Sequence, residues 1–308
     1  VSAGPADITA RLDPALRQFA EARTDLSPGV LGVVRDSLNQ RRAETARDID
    51  PIGVEFENRE ADSVPVRIYR GGASPAPAVI YCHSGGFVLG NLDTDHRQCL
   101  EFARRARCTV VSVDYRLAPE HRYPAALTDV TAVLDWVVAN GAALGVDTER
   151  IAVAGSSAGA ALAARLAQCA AAGSAPPVVF QLLHQPVLDD RPTPSKGEFT
   201  TTPGFDGPAV TMMWRHYLGG QPVPVEAAPG RATELSGLPD ALITCAELDP
   251  LRDEAVDYAL RLMRAGVTTE LHVFAGTCHG FDSLLPDWEI SQRLFELQGS
   301  ALRRALHG

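Results

Sequence analysis

Ile151-Ala152-Val153-Ala154-Gly155-Ser156-Ser157-Ala158-Gly159 runs directly into the alanine-rich stretch Ala160 to Ala172. Four β-type apolar residues, a G-x-S-x-G pentapeptide and a run of helix formers read as strand, sharp turn, helix. Strand and helix can approach that closely only if the residues flanking the turn are small. Ser157 then stands at the end of the strand with its hydroxyl exposed. The pentapeptide alone decides little, because a glycine-rich β–α turn without chemistry has the same letters. Three further stretches decide it.

The first is Tyr81-Cys82-His83-Ser84-Gly85-Gly86-Phe87, after the apolar Ala78-Val79-Ile80. A loop of HGGG type offers backbone N–H groups to a developing oxyanion. Glycine suits it because a Cβ would block the approach of the backbone. Here the letters are HSGG. The candidate donors are the N–H groups of Gly85, Gly86 and Ala158. His83 and Ser84 read as supports of that loop. By itself the stretch would pass for an ordinary glycine turn.

The second is Ala246-Glu247-Leu248-Asp249-Pro250-Leu251-Arg252-Asp253, after the strand-like Ala241 to Cys245. A carboxylate in a loop after a late strand can orient a catalytic histidine. Glu247, Asp249 and Asp253 compete. Asp253 falls two residues into an expected helix from Arg252 to Ala265 and suits a first-turn charge favoured by the helix dipole. Glu247 suits a supporting or surface role. Asp249 lies in the loop itself and is preferred. The third stretch is Gly276-Thr277-Cys278-His279-Gly280-Phe281, after the strand-like Glu270 to Phe274. Of eight histidines, only His279 falls between a last strand and a last helix. His272 alternates within a strand; His96, His216 and His307 fit helices or the chain end; His121 and His184 are expected in loops, but in the wrong chain order. The order Ser157, Asp249, His279 is nucleophile, acid, base.

Together these stretches resemble the bacterial hormone-sensitive-lipase-like esterases, a branch of the α/β-hydrolases. The resemblance extends to Asp114-Tyr115-Arg116-Leu117-Ala118-Pro119-Glu120, followed by Tyr123-Pro124-Ala125-Ala126 and Asp129. It runs from about residue 50 to the C-terminus. It implies a mostly parallel central sheet flanked by helices, a helical cap, and hydrolysis of short-chain acyl esters by Ser157, His279 and Asp249 through an acyl-enzyme. Two positions depart from the family pattern: Ser84 replaces a glycine of the HGGG stretch, and Ser156 stands where Asp or Thr is common.

The remaining composition is compatible with this. The chain has 308 residues, enough for one large α/β domain. Its net charge of −10 argues against nucleic acid or an anionic membrane as a main partner. Arg104, Arg105 and Arg107 read as a solvated helix face. No apolar stretch approaches the ~20 residues that span a bilayer. Val1 to Asp7 lacks a leader pattern. The six cysteines show no metal spacing and suit small buried hydrophobes in a reducing, cytoplasmic compartment. Neither a metal-ligand cluster nor a G-x-G-x-x-G loop calls for a cofactor or metal. The expected partner is a small-molecule ester; oligomeric state stays open, a homo-oligomer included.

Strand-like runs at 64–69, 78–82, 109–113, 151–154, 178–183, 241–245 and 270–274 alternate with helical patterns. One is Leu127, Val130, Leu134, Val137; another is Ile290, Leu294, Leu297, Ala301. Near-continuous apolar strands imply a largely parallel sheet covered on both faces. Two segments break the alternation. Residues 1–45 carry helical stretches at Pro14 to Arg23 and Val30 to Arg47, and 189–230 carries one near Ala209 to Leu218. In the resembled family such segments form the cap, leaving 46–308 as the catalytic domain. Phe199, Phe205, Met212, Met213 and Trp214 are candidates for an acyl-pocket wall, with plain cap packing the alternative reading for each of them. The same triad could serve an amidase or peptidase, and a relative that binds without turnover would be a receptor. Hydrolysis of a 4-nitrophenyl acetate-type ester separates enzyme from receptor.

Overall fold

The computed structural model describes residues 8–51 and 53–308. The N-terminal heptapeptide, with its expected lack of a leader pattern and its share of the 1–45 cap segment, lies outside the described residues.

Among the described residues eight strands form one sheet: β1 (Glu55–Ala61), β2 (Val64–Arg70), β3 (Ala76–Cys82), β4 (Thr109–Val113), β5 (Val146–Ser156), β6 (Phe180–His184), β7 (Asp240–Leu248) and β8 (Thr269–Cys278). Their spatial order is β1-β2-β4-β3-β5-β6-β7-β8. β1–β2 and β2–β4 are antiparallel, and every pair from β4–β3 onward is parallel.

The seven expected strands all form, and β1 is an eighth. Its sequence, Glu55-Phe56-Glu57-Asn58-Arg59-Glu60-Ala61, has no apolar alternation to mark it. It can be a strand because it sits at the sheet edge with most of its side chains in water. Asp62 and Ser63 close its hairpin to β2, both with positive φ, 46° and 69°. A two-residue turn with φ > 0 at both positions matches the twist of the paired strands. The charges on β1 also discourage edge-to-edge association. A second difference concerns His184. It is the last residue of β6, not a loop residue, because the strand runs one position past its apolar letters to pair with Thr244.

Alternation along the central strands divides the core into two layers. Ile80, Cys82, Val111, Val153, Leu183 and Ile243 face one side, against the helices Ala125–Ala139, Ala158–Ala171 and Arg252–Arg264. Val79, Tyr81, Ala152, Ala154, Leu182 and Leu242 face the other, against His96–Ala106 and Glu289–His307. At the edge of the second layer Arg104 and Arg105 both pair with Glu101 at 2.6 Å.

The N-terminal segment packs beyond the C-terminal ends of the strands. The expected helix Pro14 to Arg23 is only a 3₁₀ turn, Pro14–Phe19, capped by Asp13 accepting from the Ala15 N–H. The expected Val30–Arg47 helix forms as Leu31–Asp48, past residue 45. Leu12 and Leu16 are fully buried with Phe199, Leu248, Phe274 and Phe281. Burying each leucine contributes about 1.5–3 kcal/mol. The segment also joins the 189–230 region directly. Gly204 N–H donates to Ala22 O at 2.9 Å, Arg23 donates to Thr201 O at 2.7 Å, and His216 Nε2 donates to Leu26 O at 2.7 Å.

Candidate active site

The turn after β5 has the geometry its letters require. Ser157 has φ 55° and ψ −116°, a conformation non-glycine residues rarely adopt. Its N–H donates to His184 O at 2.8 Å, which pins the turn to the end of β6. The two glycines are there for close approach. A Cβ on Gly155 would lie 2.4 Å from the Gly159 backbone, and one on Gly159 would lie 2.0 Å from Cys82 O.

Three loops bring the sequence-separated candidates together. His279 Nδ1 lies 2.8 Å from Asp249 Oδ2, and Nε2 lies 3.0 Å from Ser157 Oγ. A carboxylate only accepts, so Nδ1 carries the proton and Nε2 is free to accept from the serine hydroxyl. Asp249 is fully buried, and its other oxygen accepts from Leu251 N–H at 2.8 Å. The competing acids are engaged elsewhere. Asp253 accepts from Ser195 N–H at 2.8 Å and from Arg252 at 2.9 Å. Glu247 accepts from Gly276 N–H at 2.8 Å, bracing the loop that carries His279.

Gly85 and Gly86 both have positive φ, 129° and 62°. A Cβ on Gly85 would lie 2.1 Å from Leu89 O. No described residue accepts from the N–H of Gly85, Gly86 or Ala158. The loop is braced from beneath. His83 is fully buried and stacks on Tyr115, with ring centroids 4.2 Å apart. Its Nδ1 donates to Ser84 O at 2.7 Å. Burial pushes this imidazole down to about 4, so it is neutral near pH 7. Tyr115 donates to His83 O at 2.7 Å. Arg116 is locked to Asp129 by bonds of 2.7–3.0 Å. These contacts give the Asp114–Glu120 stretch a physical role: it carries the HSGG loop.

Ser84 is not among the residues with positive φ, so serine there is unstrained. Its N–H and hydroxyl both donate to Asp95, at 2.7 and 3.1 Å, and Tyr81 donates to the same carboxylate at 3.0 Å. Ser84→Gly keeps the backbone bond and should lower kcat/KM by less than about tenfold, ~1.4 kcal/mol. Asp95→Ala removes the acceptor for all three and should cost on the order of 10²-fold, as loss of an oxyanion donor does. Steady-state rates on one acetate ester check both. A larger loss in Ser84→Gly than in Asp95→Ala would show that the serine hydroxyl itself serves the reaction.

A cavity of about 490 Å³ opens beside Ser157 and His279. Thr24, Leu26, Leu38 and Arg42 wall it from the N-terminal segment, and Gly204 and Phe205 from the 189–230 region. Of the expected acyl-pocket residues, Phe205 alone lines it; its ring centroid is 4.9 Å from that of His279. Phe199 is instead fully buried against the guanidinium groups of Arg11 and Arg252. Trp214 packs on Phe87 and Tyr217. Met213 is fully buried close to Gly86, and Met212 is partly buried against the main core. All four are apolar, and composition does not distinguish a side chain packed into a core from one on a cavity wall. Phe205→Ala should therefore shift the acyl-length preference, while Trp214→Ala should lower thermal stability with the preference kept. Rates across a C2–C8 ester series and melting curves check this; a shifted profile in Trp214→Ala alone would reverse the assignment.

Sequence reading missed several polar residues of this site. Besides Asp95, they are the pair His184–Asp282 at 3.1 Å, Gln185, whose Oε1 accepts from Gly280 N–H at 2.7 Å, and Arg42. None sits in a motif.

This fold and site define a class. A family model for the alpha/beta hydrolase fold matches residues 79–283, and the chain belongs to that family, in its hormone-sensitive-lipase-like branch. Among its relatives is the carboxylesterase NlhH of Mycobacterium tuberculosis, 42% identical over 310 aligned residues that cover 96% of this chain and 97% of the relative. Esterase LipI of the same organism is 39% identical, covering 90% of this chain and 89% of the relative. The crystal structure of esterase LipW from Mycobacterium marinum superposes with a TM-score of 0.95 at 60% identity, covering 98% of both chains.

Proposed function

We propose that this carboxylic ester hydrolase works through Ser157 as nucleophile, His279 as general base and acid, and Asp249 as the group that fixes the imidazole. The reading is carried by the unbroken sequence of hydrogen bonds from Asp249 through His279 to Ser157 Oγ. Ser157 Oγ attacks the ester carbonyl carbon as its proton passes to His279 Nε2. The carbonyl oxygen becomes an oxyanion, held by the N–H groups of Gly85, Gly86 and Ala158. Collapse expels the alcohol, which takes the proton from Nε2 and leaves an acyl-Ser157. Water then gives up a proton to His279 and attacks the acyl carbon; breakdown of the second adduct frees the acid and restores the serine.

Segments 8–48 and 189–230 act as the cap, a reading supported by their shared contacts and by the cavity they wall. Short acyl esters are the substrate class, supported by the family and the modest cavity. A cytoplasmic location is supported by six free cysteines, five of them buried. Among the described residues, no helix is long and apolar enough to cross a membrane. The test is a fluorophosphonate probe followed by peptide mapping. Label on Ser157 is expected; label on Ser156 or another serine would overturn the assignment.

A further inference from the structure

The cavity beside Ser157 is lined by a cation, Arg42, with which no described residue forms a hydrogen bond or ion pair. Arg42, on the helix Leu31–Asp48, is half-buried in the wall. Its Nη1 has no hydrogen-bond partner and is closed off even from water, so a carboxylate in the cavity would meet the guanidinium at Nε and Nη2, for which no described residue supplies a partner. A buried charge left unpaired is costly, and a guanidinium is shaped to take a carboxylate through two parallel bonds.

The surrounding charges leave Arg42 short of a counter-ion. Asp95 is the carboxylate whose charge favours that of Arg42, and Asp95 already accepts from Tyr81 and twice from Ser84. Asp93 is paired with Arg67 at 2.8 Å, and Arg97 with Asp287 at 2.8 Å. Arg41, the neighbouring residue, adds a second positive charge at the rim. His83 and His96 face the same region and are neutral near pH 7, since burial pushes both down to about 4. Asp282 lies in the same wall but is bonded to His184.

We propose that Arg42 is a substrate-recognition residue, and that the preferred substrates of this site are esters that bear a free carboxylate. This deepens the ester-hydrolase reading and rests on it. The carboxylate can belong to the acid half, as in a monoester of a dicarboxylic acid, or to the alcohol half, as in an acylated hydroxy acid. In either case the carboxylate docks on Arg42 while the ester carbonyl lies at Ser157. Arg42 contributes binding and orientation, not proton transfer.

The test compares matched esters. Monoethyl succinate against ethyl pentanoate probes the acid half; 4-acetoxybenzoate against 4-acetoxybenzamide probes the alcohol half. In the unmodified enzyme kcat/KM should favour the charged member of at least one pair, and 0.5 M NaCl should reduce that preference by screening. In Arg42→Met the charged-to-neutral ratio should fall at least tenfold, through KM. Arg42→Lys should fall between. Because the readout is a ratio within each variant, a general loss of activity cancels. If Arg42→Met does not fold, the salt dependence of the unmodified enzyme decides. A ratio unchanged in Arg42→Met, or preference for the neutral ester in both pairs, overturns the proposal and leaves the esterase reading intact. Hydrolysis of none of the four esters overturns the esterase reading, and the proposal with it.

Discussion

Ser157→Ala should lower kcat on 4-nitrophenyl acetate by roughly 10⁶-fold, the scale seen when a triad serine is removed from a serine hydrolase. The variant should stay folded. Among the described residues Ser157 Oγ bonds only to His279, and the turn is held by the backbone bond from Ser157 N–H to His184 O, which alanine keeps. Alanine must also adopt φ near 55°, at a modest cost of about 1–3 kcal/mol that serine already bears. Circular dichroism and a melting curve would confirm folding. Turnover within tenfold of the unmodified enzyme would mean that another group attacks the ester.

Asp249→Asn should be nearly as damaging, on the order of 10⁴-fold in kcat. The reason is tautomeric. An asparagine amide can present N–H to His279 Nδ1, which then becomes the acceptor and moves the ring proton to Nε2. That nitrogen can no longer take the proton of Ser157. The buried site makes escape difficult, since Asp249 is fully enclosed and its other oxygen is committed to Leu251 N–H. Asp253→Asn is the control. It touches Ser195 and Arg252 rather than His279, so kcat should stay within a few-fold. A mild Asp249→Asn with a crippled Asp253→Asn would exchange their roles.

How much of this could be read in the letters depends on the range of the interaction. Ser157 and the HSGG loop are legible because a tight turn imposes local steric demands, and local demands leave local patterns. The central strands are legible because burial on both faces makes them continuously apolar. β1 is not, since an edge strand facing water needs no apolar side chain. Asp95 lies eleven residues from the Ser84 it holds, and Arg42 more than a hundred from Ser157. Nothing near either residue in the chain records the meeting. Phe199 and Trp214 fail as pocket residues for a related reason. An aromatic ring is equally at home in a packed core and on a cavity wall, and only the path of the backbone decides.

The contact between Gly159 and Cys82 O leaves no room for even a methyl group. It works as a gauge between two machined parts. The serine turn hangs from β5 and the HSGG loop from β3, and these strands are neighbours. With their ends touching backbone to backbone, Ser157 Oγ and the N–H groups of Gly85 and Gly86 keep one spacing, whatever happens above them. The residues that would choose the substrate, Phe205 and Arg42, stand on separate segments that do not share this joint. Such a molecule can be retuned to a new ester by redrawing its roof, with the calibration of its floor left untouched.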